Sequence, residues 1–163
     1  MEPIVYTPIG VVRSPHAGPE GTPIQPPGGS GIDARVEIRP EYAEGLRDLD
    51  GFSHLILLYH CHLAKPGPLT VKPFLEDAEH GLFATRAPAR PNPIGLSVVR
   101  LKAVEGTTLH ISDVDIIDGA PVLDVKPYVP AFDAPDAGGV RTGWLETRVH
   151  RTRDSRDDGR FSR

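Results

Sequence analysis

Side chains that can bind anions or bases are concentrated in the segment FATRAPARPNPIGLS, residues 83–97. Arg86 and Arg90 each carry a planar guanidinium that suits a phosphate or a carboxylate, and Asn92 can both donate and accept hydrogen bonds, as recognition of a base edge requires. Three prolines fix the backbone around these side chains, so the loop would lose little conformational entropy on binding a ligand. The residues alone favour two interpretations, a rigid connector or a preorganised binding loop.

A second set of polar side chains lies in DGAPVLDVKPY, residues 118–128. If this segment forms a strand, Asp124, Lys126 and Tyr128 share one face because side chains alternate along a strand. Asp118 precedes them at a tight Asp-Gly turn. The set forms either a polar floor for a ligand or an exposed Asp124–Lys126 ion pair, which would contribute about 0–1 kcal/mol. The apolar face of the strand is predicted to carry Leu123 and Val125.

Three histidines alternate within FSHLILLYHCHL, residues 52–63. In a strand, His54, His60 and His62 would share one face and Cys61 would point the other way. Imidazoles at alternate positions can bind zinc, but a closed site needs four ligands and no carboxylate lies nearby in the sequence. We therefore expect no bound metal, and these histidines would line a ligand pocket or serve in packing or on the surface.

The composition predicts a mainly β fold in which short strands are joined by many turns. Glycine and proline number 17 and 18 of 163 residues, a share that is high for a helical bundle. The last three predicted strands follow one another too closely for crossover helices, which favours antiparallel or barrel pairing. The predicted strands are 4–12 with a bend at Pro8 and Gly10, 34–39, 52–63, 94–106, 107–119 and 120–129, with one short helix at 40–51 and long loops at 13–31 and 65–81.

Charge and cysteine content narrow the class of protein. A single cysteine cannot form an internal disulfide, and no apolar run reaches the ~20 residues that span a bilayer. The N-terminus also lacks the pattern of a signal peptide, so we expect a cytoplasmic protein without a membrane segment. The formal net charge of −4 gives no general attraction to nucleic acid, so any such contact would depend on a local basic patch.

The chain is predicted to form one compact domain over residues 1–147, followed by a charged, flexible tail over residues 148–163. An arginine-rich arm that contacts phosphates is the alternative for this tail. Neither a GxGxxG motif after a strand nor a P-loop motif occurs, so the residues support neither a Rossmann dinucleotide site nor a P-loop.

Four ordered blocks of this sequence resemble the TrmO family of S-adenosylmethionine-dependent tRNA methyltransferases. The resemblance extends from about Ile4 to Asp133 and so covers nearly the whole predicted domain. The blocks are PIGVVRSP (8–15), LDGFSHLILL (49–58), FATRAPARPNPIGLS (83–97) and DGAPVLDVKPYVP (118–130).

The resemblance implies a small, single-sheet β-barrel-like domain with one or two short helices, unlike the Rossmann-like fold of most methyltransferases. It implies a homodimer with S-adenosyl-L-methionine bound near the subunit interface. It also implies methylation of N6 of N6-threonylcarbamoyladenosine, beside the anticodon of tRNA. Carried over by position, the cofactor contacts fall on Pro23, Ile24, Gln25, His62, Leu63, Arg86, Leu96, Ile116, Ile117, Asp118 and Gly119.

Methylation of a ureido nitrogen calls for a group that accepts its proton. Asp118 and Asp124 are the candidates for this base, and Tyr128 is a secondary acceptor or a stacking surface. Asp118 could alternatively bind cofactor hydroxyls and transfer no proton. The predicted substrate contacts, which would hold a carboxylate or phosphate and read the base, are Arg86, Arg90, Asn92 and Lys126.

Three other functions stay open on the sequence alone. The first keeps the cofactor but changes the acceptor to a small molecule or another RNA. The second is a module that binds S-adenosylmethionine without catalysis. The third is a metal-binding protein that uses the histidines of the segment 52–63.

Overall fold

The computed structural model describes residues 2–162 and consists of a closed six-stranded barrel with a separate two-stranded sheet. The strands are β1 (Gly10–Arg13), β2 (Asp33–Ile38), β3 (His54–His60), β4 (Thr70–Val71), β5 (His80–Gly81), β6 (Ile94–Glu105), β7 (Thr108–Ser112) and β8 (Pro121–Pro127). The order around the barrel is β1-β2-β7-β6-β3-β8, and β4 pairs with β5. This confirms the predicted mainly β, barrel-like fold.

Helices contribute little to the fold. Residues 2–162 contain one α-helix, α1, which is four residues long, at Pro130–Asp133. Within residues 2–162, no helix has both the length and the apolar character that crossing a membrane requires. The short 3₁₀ helices are Pro26–Gly29, Pro40–Leu46, Leu49–Gly51, Leu82–Ala84, Ala137–Gly139, Gly143–Leu145 and Val149–Arg153.

The inside of the barrel is filled by alternate residues of its strands, as the period of two predicts. On β3, Leu55 and Leu57 are fully buried, whereas Ile56 between them lies on the outer face. Each fully buried aliphatic side chain contributes about 1.5–3 kcal/mol to folding. The core consists of Val12, Val36, Ile38, Leu55, Leu57, Val99, Leu109, Ile111, Val114, Ile116, Ala120 and Val122.

One end of the barrel collects the segments that carry most of the predicted site residues. Because all neighbouring strands are antiparallel, the C-terminal ends of β1, β3 and β7 lie beside the N-terminal ends of β2, β6 and β8. The segments at this end, which we call the loop end, are residues 14–32, 61–64, 83–93 and 113–120. The opposite end, which we call the far end, includes residues 39–53 and 106–107.

The first strand is shorter than the sequence predicts. It begins at Gly10 instead of residue 4, and the side chains of Ile4, Val5 and Tyr6 are exposed. Gly10 lies so close to Ile38 of β2 that an added Cβ would come within 2.5 Å of the Glu37 carbonyl oxygen. The predicted bend at Gly10 is therefore the start of the strand, where the absence of a side chain permits close strand approach.

Two residues with left-handed backbone conformation shorten other predicted elements. Asp48 has a φ of 65° and divides the predicted helix 40–51 into two 3₁₀ helices. Asp113 has a φ of 66°, and the chain leaves the sheet there, so the predicted strand 107–119 ends at Ser112. Aspartate tolerates this conformation better than most residues, but the sequence pattern gave no sign of it.

A bulge between β3 and β8 changes the face on which Leu123 lies. Asp124 pairs with Leu58, whereas Tyr59 pairs with Val122, so Leu123 is an extra residue on β8. Val122 is fully buried in the core in its place. The prediction that Leu123 faces the core is therefore wrong, because simple alternation cannot anticipate a bulge.

The charged segment after residue 147 lies against the rest of the chain. Thr152 and Phe161 are buried, and the Phe161 ring packs edge-on against Phe74 with 5.1 Å between ring centroids. Part of the segment 148–162 thus packs against the rest of the chain, while its predicted flexibility stays a prediction. The division of the chain at residue 147 stays a prediction.

Replacing Gly95 with alanine is expected to destabilise the barrel by about 1–3 kcal/mol. A Cβ at this position would clash with the ring of Tyr59, which points into the barrel from the neighbouring strand. The free energy of unfolding, measured by urea titration, tests this. Gly81→Ala is the matched control because a Cβ there meets no atom within 4 Å. Equal stability of the two variants would contradict the expected clash.

Candidate functional site

The residues to which the resemblance assigns cofactor contacts lie in the segments of the loop end or directly beside them. Residues 23–25 belong to the β1–β2 connection, 62–63 follow β3, and 116–119 connect β7 to β8. Arg86 precedes β6. Leu96 is the third residue of β6 and pairs with Leu58 of β3. Segments that are far apart in the sequence thus meet around one opening of the barrel.

A hydrogen bond joins two of these segments directly. The Arg86 Nη1 atom donates to Gln25 Oε1 at 2.8 Å, and the Arg86 side chain is otherwise exposed to solvent. Pro23 is buried and forms an isolated β-bridge with Arg156, which fixes the β1–β2 connection against the C-terminal segment. The hydrogen bond to Gln25 holds the Arg86 guanidinium in place. The guanidinium keeps donors for a ligand, since it carries five N–H groups.

His62 and Asp118 lie close to each other at the loop end. The His62 Nδ1 atom is buried and has no hydrogen-bond partner. Burial lowers the pKa of His62, as does the neighbouring His60, while the Asp118 carboxylate acts in the opposite direction. A buried ring nitrogen without a partner is rare in proteins and indicates a group that a ligand can satisfy.

The turn that carries Asp118 has a defined conformation. Asp118 Oδ1 accepts a hydrogen bond from the Ser14 amide at 3.1 Å, and the Asp118 amide donates to the His16 carbonyl at 2.8 Å. Gly119 has a φ of 79°, which favours glycine, and an added Cβ would lie 3.7 Å from His62 Nε2. The turn therefore leaves open space beside the imidazole and places a carboxylate next to it.

The remaining polar residues of the segment 83–97 have different environments. Arg90 Nη1 donates to the carbonyl oxygen of Thr85 at 2.9 Å, and the guanidinium lies 5.6 Å from the centre of the Phe83 ring. These contacts hold the loop together. Asn92 is exposed and lies directly before the strand. Arg90 thus supports the loop, while Asn92 is available to a ligand at the loop end.

Asp124, Lys126 and Tyr128 lie on the outside of the barrel along β8 and just beyond it. Lys126 Nζ forms an ion pair with Asp124 Oδ2 at 2.7 Å, and both side chains are partly exposed. The Tyr128 amide donates to the carbonyl of His54, and the two rings lie 6.4 Å apart. Tyr128 therefore lies near the far end, about 20 Å along the strand from Val122. Within one chain, the structure does not bring Tyr128 to Asp118.

The three histidines of the segment 52–63 do not share one face. His54 and His60 lie on the outer face of β3, but His62 follows the end of the strand and lies beside Asp118. Because β3 ends at His60, the alternation on which the prediction depended does not extend to His62. Among residues 2–162, no group of three or more His, Cys, Asp or Glu side chains is arranged to hold a metal ion.

The structure adds a buried polar network that the sequence did not indicate. Ser97 Oγ donates to Asp115 Oδ1 at 2.7 Å, and the Tyr59 hydroxyl lies 3.2 Å from Ser97 Oγ. Burial raises the pKa of Asp115 to about 6. Burial also raises the pKa of Tyr59, and that of Cys61 to about 11. A carboxyl group with a raised pKa beside a candidate site is typical of functional centres.

The stability of the protein is expected to fall by about 2–3 kcal/mol as the pH rises from about 4 to about 7, through Asp115 alone. The folded chain binds this proton more tightly than the unfolded chain, so the contribution is complete below the unfolded pKa and is lost as the pH passes the folded value. Asp115→Asn keeps an acceptor for Ser97 and removes the titration. Urea unfolding at several pH values should show the variant gaining stability relative to the wild type as pH rises; parallel profiles would contradict the assignment.

Comparison with known proteins identifies the family of this chain. The family model for the tRNA-methyltransferase O N-terminal domain matches residues 11–134, which is most of the chain. This chain belongs to the TrmO family. The barrel is also similar to the crystal structure of TrmO from Pseudomonas aeruginosa, with a TM-score of 0.73 and 39% sequence identity over 87% of this chain and 62% of that one.

Two sequence relatives of this chain carry different names. A probable S-adenosyl-L-methionine-binding protein of Pyrococcus abyssi is 54% identical over 158 residues, which cover 97% of this chain and 85% of the relative. The tRNA (adenine(37)-N6)-methyltransferase of Escherichia coli is 38% identical over 148 residues, which cover 84% of this chain and 63% of the enzyme. The chain thus spans less than two thirds of the length of that enzyme.

Proposed function

We propose that this chain is an S-adenosyl-L-methionine-dependent methyltransferase that methylates N6 of N6-threonylcarbamoyladenosine next to the anticodon of tRNA. The observation that carries the proposal is the meeting of four segments at the loop end, where the Arg86–Gln25 hydrogen bond joins two of them. Membership of the TrmO family and the name of the Escherichia coli relative support the same reaction.

The side chains at the loop end fit the proposed cofactor. Arg86 can pair with its carboxylate, and the unpartnered His62 Nδ1 can bind a polar group. Gly119 leaves space beside the imidazole. The remaining contacts are proposed for Pro23, Ile24, Leu63, Leu96 and Ile117, and for the backbone of Ile116, whose side chain is buried in the core. When bound, S-adenosyl-L-methionine supplies an electrophilic methyl group.

The protein accelerates this reaction mainly by holding the acceptor nitrogen in line with the methyl group. Such positioning can lower the activation barrier by ~7–11 kcal/mol. We propose Asp118 as the acceptor of the N6 proton, because Asp124 is paired with Lys126. Asn92 is proposed to contact the base, while Arg90 keeps the loop in shape.

A homodimer is part of the proposal. The outer face formed by β6, β3 and β8 carries apolar side chains, among them Leu58 and Ile56, and Leu96 and Ile94 are 51% and 43% exposed. A second subunit on this face would cover the apolar side chains and would place the outer residues of β8 near a partner's site. Asp124, Lys126 and Tyr128 would then contribute to the substrate site across the interface.

A tRNA-modifying enzyme of this kind is expected in the cytoplasm.

A second function is favoured by chain coverage. The chain covers 85% of the Pyrococcus abyssi relative and 93% of an S-adenosyl-L-methionine-binding protein of Archaeoglobus fulgidus, to which it is 42% identical. It covers 63% of the Escherichia coli methyltransferase. Binding of S-adenosyl-L-methionine with another acceptor, or without methyl transfer, is therefore the alternative.

Nucleoside analysis of tRNA separates the two functions. We expect tRNA from a strain that lacks the gene to contain N6-threonylcarbamoyladenosine without its N6-methyl form, and we expect the wild-type gene to restore the methylated nucleoside. Mass spectrometry of digested tRNA measures both nucleosides. Unchanged methylation in a deletion strain with no second family member would contradict the tRNA function and favour the alternative.

A further inference from the structure

The members of the buried network around Asp115 are direct chain neighbours of residues that are proposed to contact the cofactor. Asp115 accepts a hydrogen bond from Ser97, and its charge acts on the neighbouring Cys61 thiol. Each of these three residues is the immediate chain neighbour of a residue proposed to contact the cofactor. These neighbours are Ile116, Leu96 and His62, respectively.

The carboxylate of Asp115 lacks a cationic partner in the part of the chain that the structure describes. Its side-chain hydrogen bond comes from the neutral Ser97 hydroxyl, and no Lys or Arg forms an ion pair with it in residues 2–162. Arg86 acts on Asp115 only at longer range, because its guanidinium is hydrogen-bonded to Gln25. Burying a carboxylate without a cationic partner costs free energy of folding, and a bound cation would reduce that cost.

The other titratable groups that face Asp115 do not supply that cation. Tyr59 from β3 and Cys61 from the segment after it are both neutral near pH 7, because burial raises the pKa of each. Arg90 acts on Cys61 but is engaged with carbonyl oxygens of its own loop. The positive charge that is missing from the site can therefore come from a ligand.

We propose that Asp115 is the counter-charge for the sulfonium group of the cofactor and gives the site its preference for S-adenosyl-L-methionine over the neutral thioether S-adenosyl-L-homocysteine. This proposal rests on the proposed function, since it assumes that the loop end binds the cofactor. It assigns Asp115 a role in discrimination between substrate and product, and it leaves proton acceptance to Asp118.

Two measurable properties follow from this role. A cation beside the carboxylate favours its ionised form, by an amount that typically lowers a pKa by about 1–3. Binding of S-adenosyl-L-methionine near pH 6 should therefore release protons, and the dissociation constant should fall by about five- to tenfold between about pH 5 and about pH 7.5. The thioether carries no charge at sulfur, so its affinity should change much less over this range.

Isothermal titration calorimetry with the purified chain tests the proposal. Titrations of both ligands near pH 6, in two buffers with different ionisation enthalpies, give the number of protons released on binding. The wild type should release more protons with S-adenosyl-L-methionine than with S-adenosyl-L-homocysteine. Asp115→Asn should lose this difference and lose most of its preference for the sulfonium ligand.

Ser97→Ala provides a second variant that keeps the carboxylate. The Ser97 hydroxyl donates a hydrogen bond that lowers the pKa of Asp115, so its removal should raise that pKa. The pH at which the affinity for S-adenosyl-L-methionine changes should therefore rise. Proton release by His62 would be common to both ligands and would persist in Asp115→Asn, which separates it from the effect of Asp115.

The possible failures are distinguishable. If the wild type binds S-adenosyl-L-methionine but Asp115→Asn shows the same proton release and the same preference, the role of Asp115 is overturned and the proposed function stands. If the wild type binds neither ligand at millimolar concentration, both the proposed function and this inference are overturned.

Discussion

Replacing Arg86 with alanine is expected to weaken binding of S-adenosyl-L-methionine by about 10- to 100-fold, because a hydrogen bond to a charged group contributes about 1.5–3 kcal/mol. Arg86 is the exposed cation at the loop end, and its Nη1 atom is fixed 2.8 Å from Gln25 Oε1. The substitution removes the proposed partner of the cofactor carboxylate and the link between two segments of the site. Isothermal titration calorimetry measures the dissociation constant directly.

Arg47→Ala is the matched control for this variant. Arg47 is also exposed and also bonded to one side chain, Glu44 at 3.4 Å, but it lies in the β2–β3 connection at the far end. Its replacement should leave cofactor affinity unchanged. Equal affinities of Arg86→Ala and the wild type, with both chains folded by circular dichroism, would exclude Arg86 from the cofactor site.

The second large effect is expected at Asp118. Asp118→Asn should slow single-turnover methyl transfer at saturating cofactor by about 100-fold or more, since loss of a general base commonly costs a factor of about 10²–10⁴. Asparagine can still accept the hydrogen bond from Ser14, so the turn should keep its conformation. Rapid-quench measurement of methyl transfer to tRNA gives the rate of this step.

Asp124→Asn separates the two candidate bases. Asp124 is paired with Lys126 at 2.7 Å on the outer face of β8, so its replacement should slow methyl transfer at saturating cofactor and tRNA much less than Asp118→Asn does. A normal rate for Asp118→Asn together with a large loss for Asp124→Asn would contradict the assignment of the base to Asp118. A loss of cofactor affinity in Asp118→Asn without a slower rate at saturation would instead assign Asp118 to the cofactor hydroxyls.

The barrel was predictable from the sequence because its strands have strong local patterns. The alternation in ARVEIR and the apolar run FSHLILLY correspond to β2 and β3, and the closely spaced strands after residue 94 correspond to β6, β7 and β8. The errors occur where single residues change the backbone. Asp48 and Asp113 adopt left-handed conformations, and the bulge at Leu123 reverses the expected face of one strand.

The candidate site was predictable only in part. The resemblance indicated Arg86 and the turn at Asp118 because these lie in continuous blocks of sequence. The network of Tyr59, Ser97 and Asp115 was missed, because its members come from three separate segments and each is an ordinary residue in its own segment. Such a network is defined by burial and distance, which local sequence patterns do not contain.

The central claim is that the loop end binds S-adenosyl-L-methionine and transfers its methyl group to tRNA. The most direct measurement incubates the purified chain with methyl-labelled S-adenosyl-L-methionine and tRNA that contains unmethylated N6-threonylcarbamoyladenosine, followed by nucleoside mass spectrometry. We predict label on N6 of that nucleoside and about 5- to 50-fold less label with Arg86→Ala at the same cofactor concentration, set near the dissociation constant of the wild type. Binding of the cofactor without any labelled nucleoside, under conditions in which the Escherichia coli relative labels the same tRNA, would contradict the claim.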